Sequence, residues 1–456
     1  MKKRLILGLL AFMTMGGTTA VYADDASYLP LRTTMENIGY KVEWNGADKS
    51  IKVTGEKGSF TFKPDNNMVY DGNGRGYKLY SPVKLENGTA YVGTDTLEKL
   101  GISVENNKDF GYRLNSQFNQ NENYVFSPYS LKAALAMVAN GAKGDTQQEI
   151  LKALDYSSIN ELNAHMKNLT KVYNQDDVLK LSSANSLWTN NALPPISSEF
   201  TESIKENFNG ESRAVSVAEA SSEIQKWVAE KSNGMQKDFK MSVDDSFALA
   251  LVNTTYLKAE WVNEFDSNNT YKEEFTGSDG KKTNIEFMHD TATYTAYKDD
   301  KVSLVKLNYK DKGDGRALAF YAVIAPENTD FEEYMEKAEL QKVKLSLPKF
   351  KGKTNITLND TLKNMGINLV FTTEADLSGI SGEKGDLLVT SVVQDTVIDV
   401  DEKGTEASST TAVMVGATSY NPTEPVEISF NEPFTYFIKD EANDEILFMG
   451  RFAKGE

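Results

Sequence analysis

Residues 401–419 read DEKGTEASSTTAVMVGATS, and the fold turns on what this stretch is. After Asp401, Glu402, Lys403 and Gly404 come Thr405, Glu406, Ala407, Ser408, Ser409, Thr410, Thr411 and Ala412, without one bulky side chain. The run has neither the apolar stripe of a helix nor the alternation of a half-buried strand. Small polar residues belong in water, yet Thr and Val without proline can pair as a β-strand if a sheet makes room. Two readings follow: a flexible linker, or a loop able to become a strand.

The flanks favour the second. Residues 387–400, LLVTSVVQDTVIDV, form a long strand pattern, and VEISF at 426–430, FTYFI at 434–438 and ILFM at 446–449 are three more. Pairing-competent segments left exposed usually carry protective charges or prolines, and beyond Glu406 this one carries neither.

Glu402 to Ala407 with its small-residue tail, Phe430-Asn-Glu-Pro433-Phe434 and Phe448-Met449-Gly450-Arg451 together resemble the hinge, distal strand and C-terminal strand of the serpins. Further motifs resemble that family in order: Phe126-Ser-Pro-Tyr-Ser-Leu131, Ser182 to Trp188, Ile224 to Gly234, Leu249 to Trp261, Leu347-Pro-Lys-Phe350 and Ala375 to Ile380. The resemblance runs over residues 108–456. It implies an α+β serpin fold with three β-sheets, about eight or nine helices and an exposed reactive-centre loop.

Site residues follow from the same resemblance. It implies a hinge of Glu402, Gly404, Thr405, Glu406, Ala407, Ser408, Ser409, Thr410 and Thr411. A polar "shutter" under the main sheet would comprise Ser127, Ser130, Asn185 and Gln394, and Trp261 would mark the "breach" where the hinge enters. Family members commonly carry histidine where this chain has Gln394; glutamine donates and accepts like neutral imidazole but does not protonate near neutral pH, so acid does not tune the shutter through this position. Counting fourteen residues on from Gly404 puts the reactive bond at Thr418-Ser419, with Ala417-Thr418 and Ser419-Tyr420 as neighbours. The small residues there suit elastase-like or subtilisin-like serine proteases, not a trypsin-like pocket. The implied partner is such a protease, held as a covalent acyl-enzyme by a monomeric suicide inhibitor. The competing reading is a serpin-fold binding protein that does not inhibit and sits at the cell surface.

The chain opens with Lys2, Lys3 and Arg4, an apolar run from Leu5 to Met15, and Val21-Tyr22-Ala23 before two aspartates. This reads as a signal peptide, residues 1–23, and places the protein outside the cell. No later segment reaches the ~18 consecutive apolar residues of a spanning helix. The chain has no cysteine, so it has neither disulfides nor thiolate metal ligands. Losing the three basic residues of the signal takes the net charge from −17 to −20. Such a surface repels nucleic acid, heparin-like polyanions and anionic lipid.

Residues 28–107 have a different texture. The segment from Tyr28 to Trp44 returns loosely from Tyr91 to Glu105, each copy suggesting a strand, a short helix closed by glycine and a second strand. The whole resembles the copper amine oxidase N-terminal-like domain, a stalk on exported proteins of Gram-positive bacteria. Its name brings no copper here, because the segment holds neither His nor Cys.

Enzyme chemistry finds little footing. The only histidines are His165, read as a solvated residue on a polar helix, and His289, read with Asp290 as a turn; no G-x-S-x-G elbow is present. No catalytic residue, metal site or cofactor is therefore expected.

Overall fold

The computed structural model describes residues 28–32, 35, 40–55, 58–64, 66, 68–72, 74–78, 83–86, 89–93, 96, 100, 109–173, 180–232, 234, 236–310, 316–327, 329–405 and 424–455. Outside them lie the expected signal peptide, the hinge residues Glu406, Ala407, Ser408, Ser409, Thr410 and Thr411, and the reactive bond Thr418-Ser419. The chain divides into two compact units between residues 107 and 108.

In the first unit β1 (Tyr28–Pro30), β2 (Lys41–Asn45), β3 (Ser50–Gly55), β4 (Gly58–Phe62), β5 (Met68–Asp71), β6 (Gly76–Lys78), β7 (Lys84–Glu86) and β8 (Thr89–Gly93) build two sheets. Strands β2 to β6 follow one another as an antiparallel meander, and β8 lies between β1 and β7. Alternation in Ile51, Val53, Phe60, Phe62 and Val69 turns one side of the meander into a small core with Val42 and Met35. The first strands of the two sequence repeats pair with each other, Leu29 opposite Val92.

The second unit contains, among the described residues, helices α1 (Phe110–Asn115), α2 (Pro128–Gly141), α3 (Gly144–Ala153), α4 (Ile159–Tyr173), α5 (Ser198–Phe208), α6 (Val217–Lys231), α7 (Phe331–Lys337) and α8 (Asn359–Asn364). Its strands are β9 (Tyr124–Phe126), β10 (Lys180–Asn190), β11 (Glu211–Val215), β12 (Leu249–Glu260), β13 (Thr270–Thr276), β14 (Lys282–Lys298), β15 (Ser303–Asn308) and β16 (Leu318–Ile324). They continue with β17 (Glu339–Pro348), β18 (Phe350–Thr357), β19 (Val389–Asp401), β20 (Gly404–Thr405), β21 (Val426–Ser429), β22 (Phe434–Asp440) and β23 (Glu445–Phe452).

Six strands form the main sheet, in the order β11-β10-β12-β20-β19-β18. The other two expected sheets are joined through the long β14, whose first part pairs with β13 and β17 and whose last four residues pair with β15. His289 falls within β14, opposite Ser346 of β17, so the turn reading is corrected: the period-2 pattern around it overrides the His-Asp dipeptide.

Helix α2 starts where Ser127 caps it, its side chain accepting from the Ser130 N–H, with Pro128 in the first turn. It is buried on nearly every side, as its composition from Leu131 to Ala139 requires. Strand β12 is likewise covered on both faces, which explains why LALVNTTYLKAE reads as a continuous run without alternation.

Candidate functional site

Two pairings in the main sheet are parallel, β10 with β11 at its edge and β12 with β19 at its centre, and the central one is the seam. Strands β12 and β19 pair directly from Leu249 opposite Val389 to Tyr256 opposite Val397. Beyond that point they part, and β20 fills the gap: Thr405 is opposite Ala259 on one side and Val400 on the other, and Gly404 is opposite Glu260 and Asp401. The hinge residues Gly404 and Thr405 thus already form a strand within the sheet.

Several contacts fasten this end. The Trp261 indole N–H donates to the Asp401 carbonyl at 2.9 Å, and its backbone N–H to the Lys403 carbonyl at 2.9 Å. Phe265 N–H donates to the Glu402 carbonyl at 2.8 Å, so three successive carbonyls of the turn are held. Asp401 closes the turn from within, its carboxylate accepting from the N–H groups of Lys403 and Gly404. Tyr309 stacks on Trp261 with ring centroids 4.4 Å apart, and its hydroxyl is 2.6 Å from that of the fully buried Thr405. Lys349 pairs with Glu402 at 2.9 Å. Gly404 is required by close approach, since a Cβ there would lie 2.0 Å from the Ala259 carbonyl oxygen.

Mid-seam, the inward face carries a connected polar network. The Gln394 side chain docks reciprocally on Ser127, its Oε1 accepting from the Ser127 N–H at 2.9 Å and its Nε2 donating to the Ser127 carbonyl at 3.0 Å. Nε2 also reaches Asn253 Oδ1 at 3.1 Å. Asn253 in turn donates to Asn185 Oδ1 at 2.7 Å and to Ser130 Oγ, which is 2.6 Å from Ser183 Oγ. Ser127 Oγ donates to the Leu447 carbonyl at 2.6 Å. Helix α2, β10, β12, β19 and β23 are all tied through it, with every donor named here neutral. In this apolar setting each amide is worth more as a satisfied partner than its surface equivalent would be.

All four shutter residues and Trp261 are therefore brought to the seam, the four under its middle and Trp261 at its hinge end. The reading of single motifs missed Asn253, the centre of the network, as well as Ser183 and Tyr309. The signal for Asn253 was its spacing, because Leu251, Asn253, Thr255 and Leu257 share one face of β12 and only the middle two are polar.

The two histidines are elsewhere. His165 lies on α4 as expected, but it is half-buried and its Nδ1 is 2.5 Å from the Tyr156 hydroxyl, which corrects the solvated reading. Burial, reinforced by the Lys132 ammonium, pushes its pKa down to about 4. His289 stacks on Tyr271 at 4.0 Å and contacts Ser346 Oγ at 3.0 Å. Neither is placed beside a nucleophile at the seam.

Comparison with known proteins agrees with this geometry. Residues 105–455 match the family model for serpins, described as serine protease inhibitors, and residues 13–110 match that for the copper amine oxidase N-terminal domain. An uncharacterized serpin-like protein of Methanosarcina acetivorans is 30% identical over 386 residues, 79% of this chain and 89% of its own. Among solved structures, the thermophilic serpin tengpin in its native state superposes with a TM-score of 0.67 at 27% identity, over 76% of this chain and 92% of its own. Human thyroxine-binding globulin complexed with thyroxine gives a TM-score of 0.69 at 23% identity, over 76% and 97%, a likeness of fold alone.

Proposed function

The chain belongs to the serpin family, and we propose that it is a secreted inhibitor of elastase-like or subtilisin-like serine proteases, acting as a suicide substrate whose cut loop enters the main sheet. The observation that carries the reading is the seat of Thr405, fully buried between Ala259 and Val400 where an added strand would begin. Below it β12 and β19 are still in direct contact, so the sheet has room to gain from insertion.

In this reading the protease serine attacks the Thr418 carbonyl, the bond to Ser419 breaks, and Thr418 is held as an ester on the enzyme. The freed segment then extends β20 down the seam. From Thr405 to Thr418 it spans roughly 45–50 Å as a strand, enough to carry the ester-linked protease to the far end of the sheet. About a dozen new ladder bonds at a net ~0.5–1.5 kcal/mol each supply roughly 6–18 kcal/mol toward deforming the protease. Loop insertion of this kind is a known serpin behaviour, one instance of a sheet gaining a strand from an extended segment. Small side chains at Thr405, Ala407, Ser409 and Thr411, one face of the extended segment, suit passage beneath the sheet. The signal peptide exports the chain as a monomer, and the N-terminal unit serves as a surface spacer.

Mixing the protein with elastase or subtilisin tests this. A protease-linked band that survives SDS, with a released peptide beginning at Ser419 by mass spectrometry, is the expected result. Clean cleavage without such a band overturns it and favours a binding protein that keeps the fold without inhibiting.

A further inference from the structure

Strand β19 places consecutive residues on opposite faces, so while Gln394 points into the network under the sheet, Asp395 points to the other side. There it lies between Thr254 of β12 and Asn355 of β18 in the pairing register. Its side chain is fully buried, and neither carboxylate oxygen makes a hydrogen bond of good geometry, the neighbouring Asn355 amide being the one group that weakly favours its charge as a donor. Directly over the seam sits Gln236, also fully buried, from the segment that follows α6. Its Nε2 donates to the Asp395 backbone carbonyl at 3.1 Å, and its Oε1 accepts from the Thr254 hydroxyl, so one side chain clasps both strands that must separate.

The groups facing Asp395 are few. Strand β12 presents neutral Thr254, and the covering segment presents neutral Gln236 and, at its edge, Asp238. From β18 come the neutral Asn355 and Lys353, whose ammonium lies 4.0 Å from the exposed Asp238 carboxylate and is shared with it. Helix α6 contributes Trp227 and Val228 to an apolar cluster with Val252 and Val393. Further along β19, Asp399 is satisfied by Lys351 at 3.0 Å. A carboxylate buried among such neighbours without a well-placed donor is destabilised in its charged form.

We propose that Asp395 is an acid-operated latch on the seam: its protonated form lets β12 and β19 close under Gln236, and its ionised form loosens them. The consequence for inhibition, faster loop entry at neutral than at acid pH, rests on the insertion reading above; the latch itself does not. Burial pushes the Asp395 pKa from the usual 3.8 up to about 6, against the weaker opposing pull of Lys353 and Asn355. Because the closed state has the raised pKa, the penalty is full above pH 6, fades between 6 and 4, and is absent below the ordinary value. A displacement of about two pH units corresponds to a change of about a hundredfold in the opening equilibrium, of which roughly tenfold falls between pH 7 and pH 5.

Hydrogen exchange of the β12 and β19 amides in the intact full chain, corrected for intrinsic rate, reads the opening directly. The wild type is expected to open roughly tenfold more at pH 7 than at pH 5 relative to Asp395→Asn, whose ratio stays flat. Thr254→Val, which releases one side of the Gln236 clasp, raises exchange at both pH values and leaves the pH dependence in place. Seam exchange in the wild type that does not change between pH 7 and pH 5 overturns the latch without need of any variant, as does an equal pH dependence in Asp395→Asn. Because these measurements use uncut protein, failure to trap a protease sinks the inhibitor reading and leaves the latch to its own result.

Discussion

The two ends of the β12–β19 pairing are closed by different means. At the hinge end Gly404 and Thr405 lie between the strands, bonded to both, with Trp261 and Tyr309 packed against them. In the middle nothing intervenes: the strands pair with each other, a side-chain network grips them from beneath, and Gln236 grips them from above. The hinge end has already exchanged strand-to-strand bonds for strand-to-hinge bonds, so lengthening β20 there forfeits no ladder bond. For a loop to insert mid-seam, direct backbone bonds would have to break and the amides of Gln394 and Asn253 to find new partners. Amides can do this because each both donates and accepts. On the insertion reading, initiation is therefore built into one end and restraint into the other.

Substitutions at the two places should separate initiation from restraint. Thr405→Arg puts an unpaired charge into a fully buried seat and is expected to abolish the SDS-stable complex, leaving a substrate whose inhibition rate is down at least about a hundredfold. Unaltered inhibition by this variant, or by Ala407→Pro, would defeat the assignment of the hinge. Asn253→Ala should come next, leaving Gln394 and Ser130 short of partners and destabilising the closed sheet by about 3 kcal/mol in urea unfolding. A loss under about 1 kcal/mol would mean that the backbone pairing alone restrains the seam. Trp261→Phe removes the indole donor to Asp401 and keeps most of the ring, so a smaller loss of about 1–2 kcal/mol is expected. Lys349→Met deletes a partly exposed ion pair with Glu402 and should change stability by no more than about 0.5 kcal/mol, an effect that salt would mask in the wild type.

Much of this was legible in the sequence because the family's marks are local. The hinge glycine and its small-residue tail, the Ser127-Pro128 entry to α2 and the strand pattern after residue 425 each declare themselves within a few residues. What escaped was long-range. Asn253 and Ser130 are 123 positions apart, Tyr309 and Thr405 are 96, and no spacing rule brings them together. Asp395 stood in plain view as a charge inside a valine-rich strand. That it is buried without a well-placed donor depends on which segment crosses above it, and chain order does not reveal that. His289 was misjudged for a different reason, the weight given to one dipeptide over the alternation of the 17-residue strand around it.

Gly404 has one more consequence. Because no side chain can occupy its place against Ala259, the strand that starts there has a single permitted phase. Odd-numbered residues from Thr405 onward point under the sheet if that phase persists, and a slip of one would send Glu406 there instead. On the insertion reading, one missing carbon would thus act as a parity check, admitting a threonine first and turning away a charge.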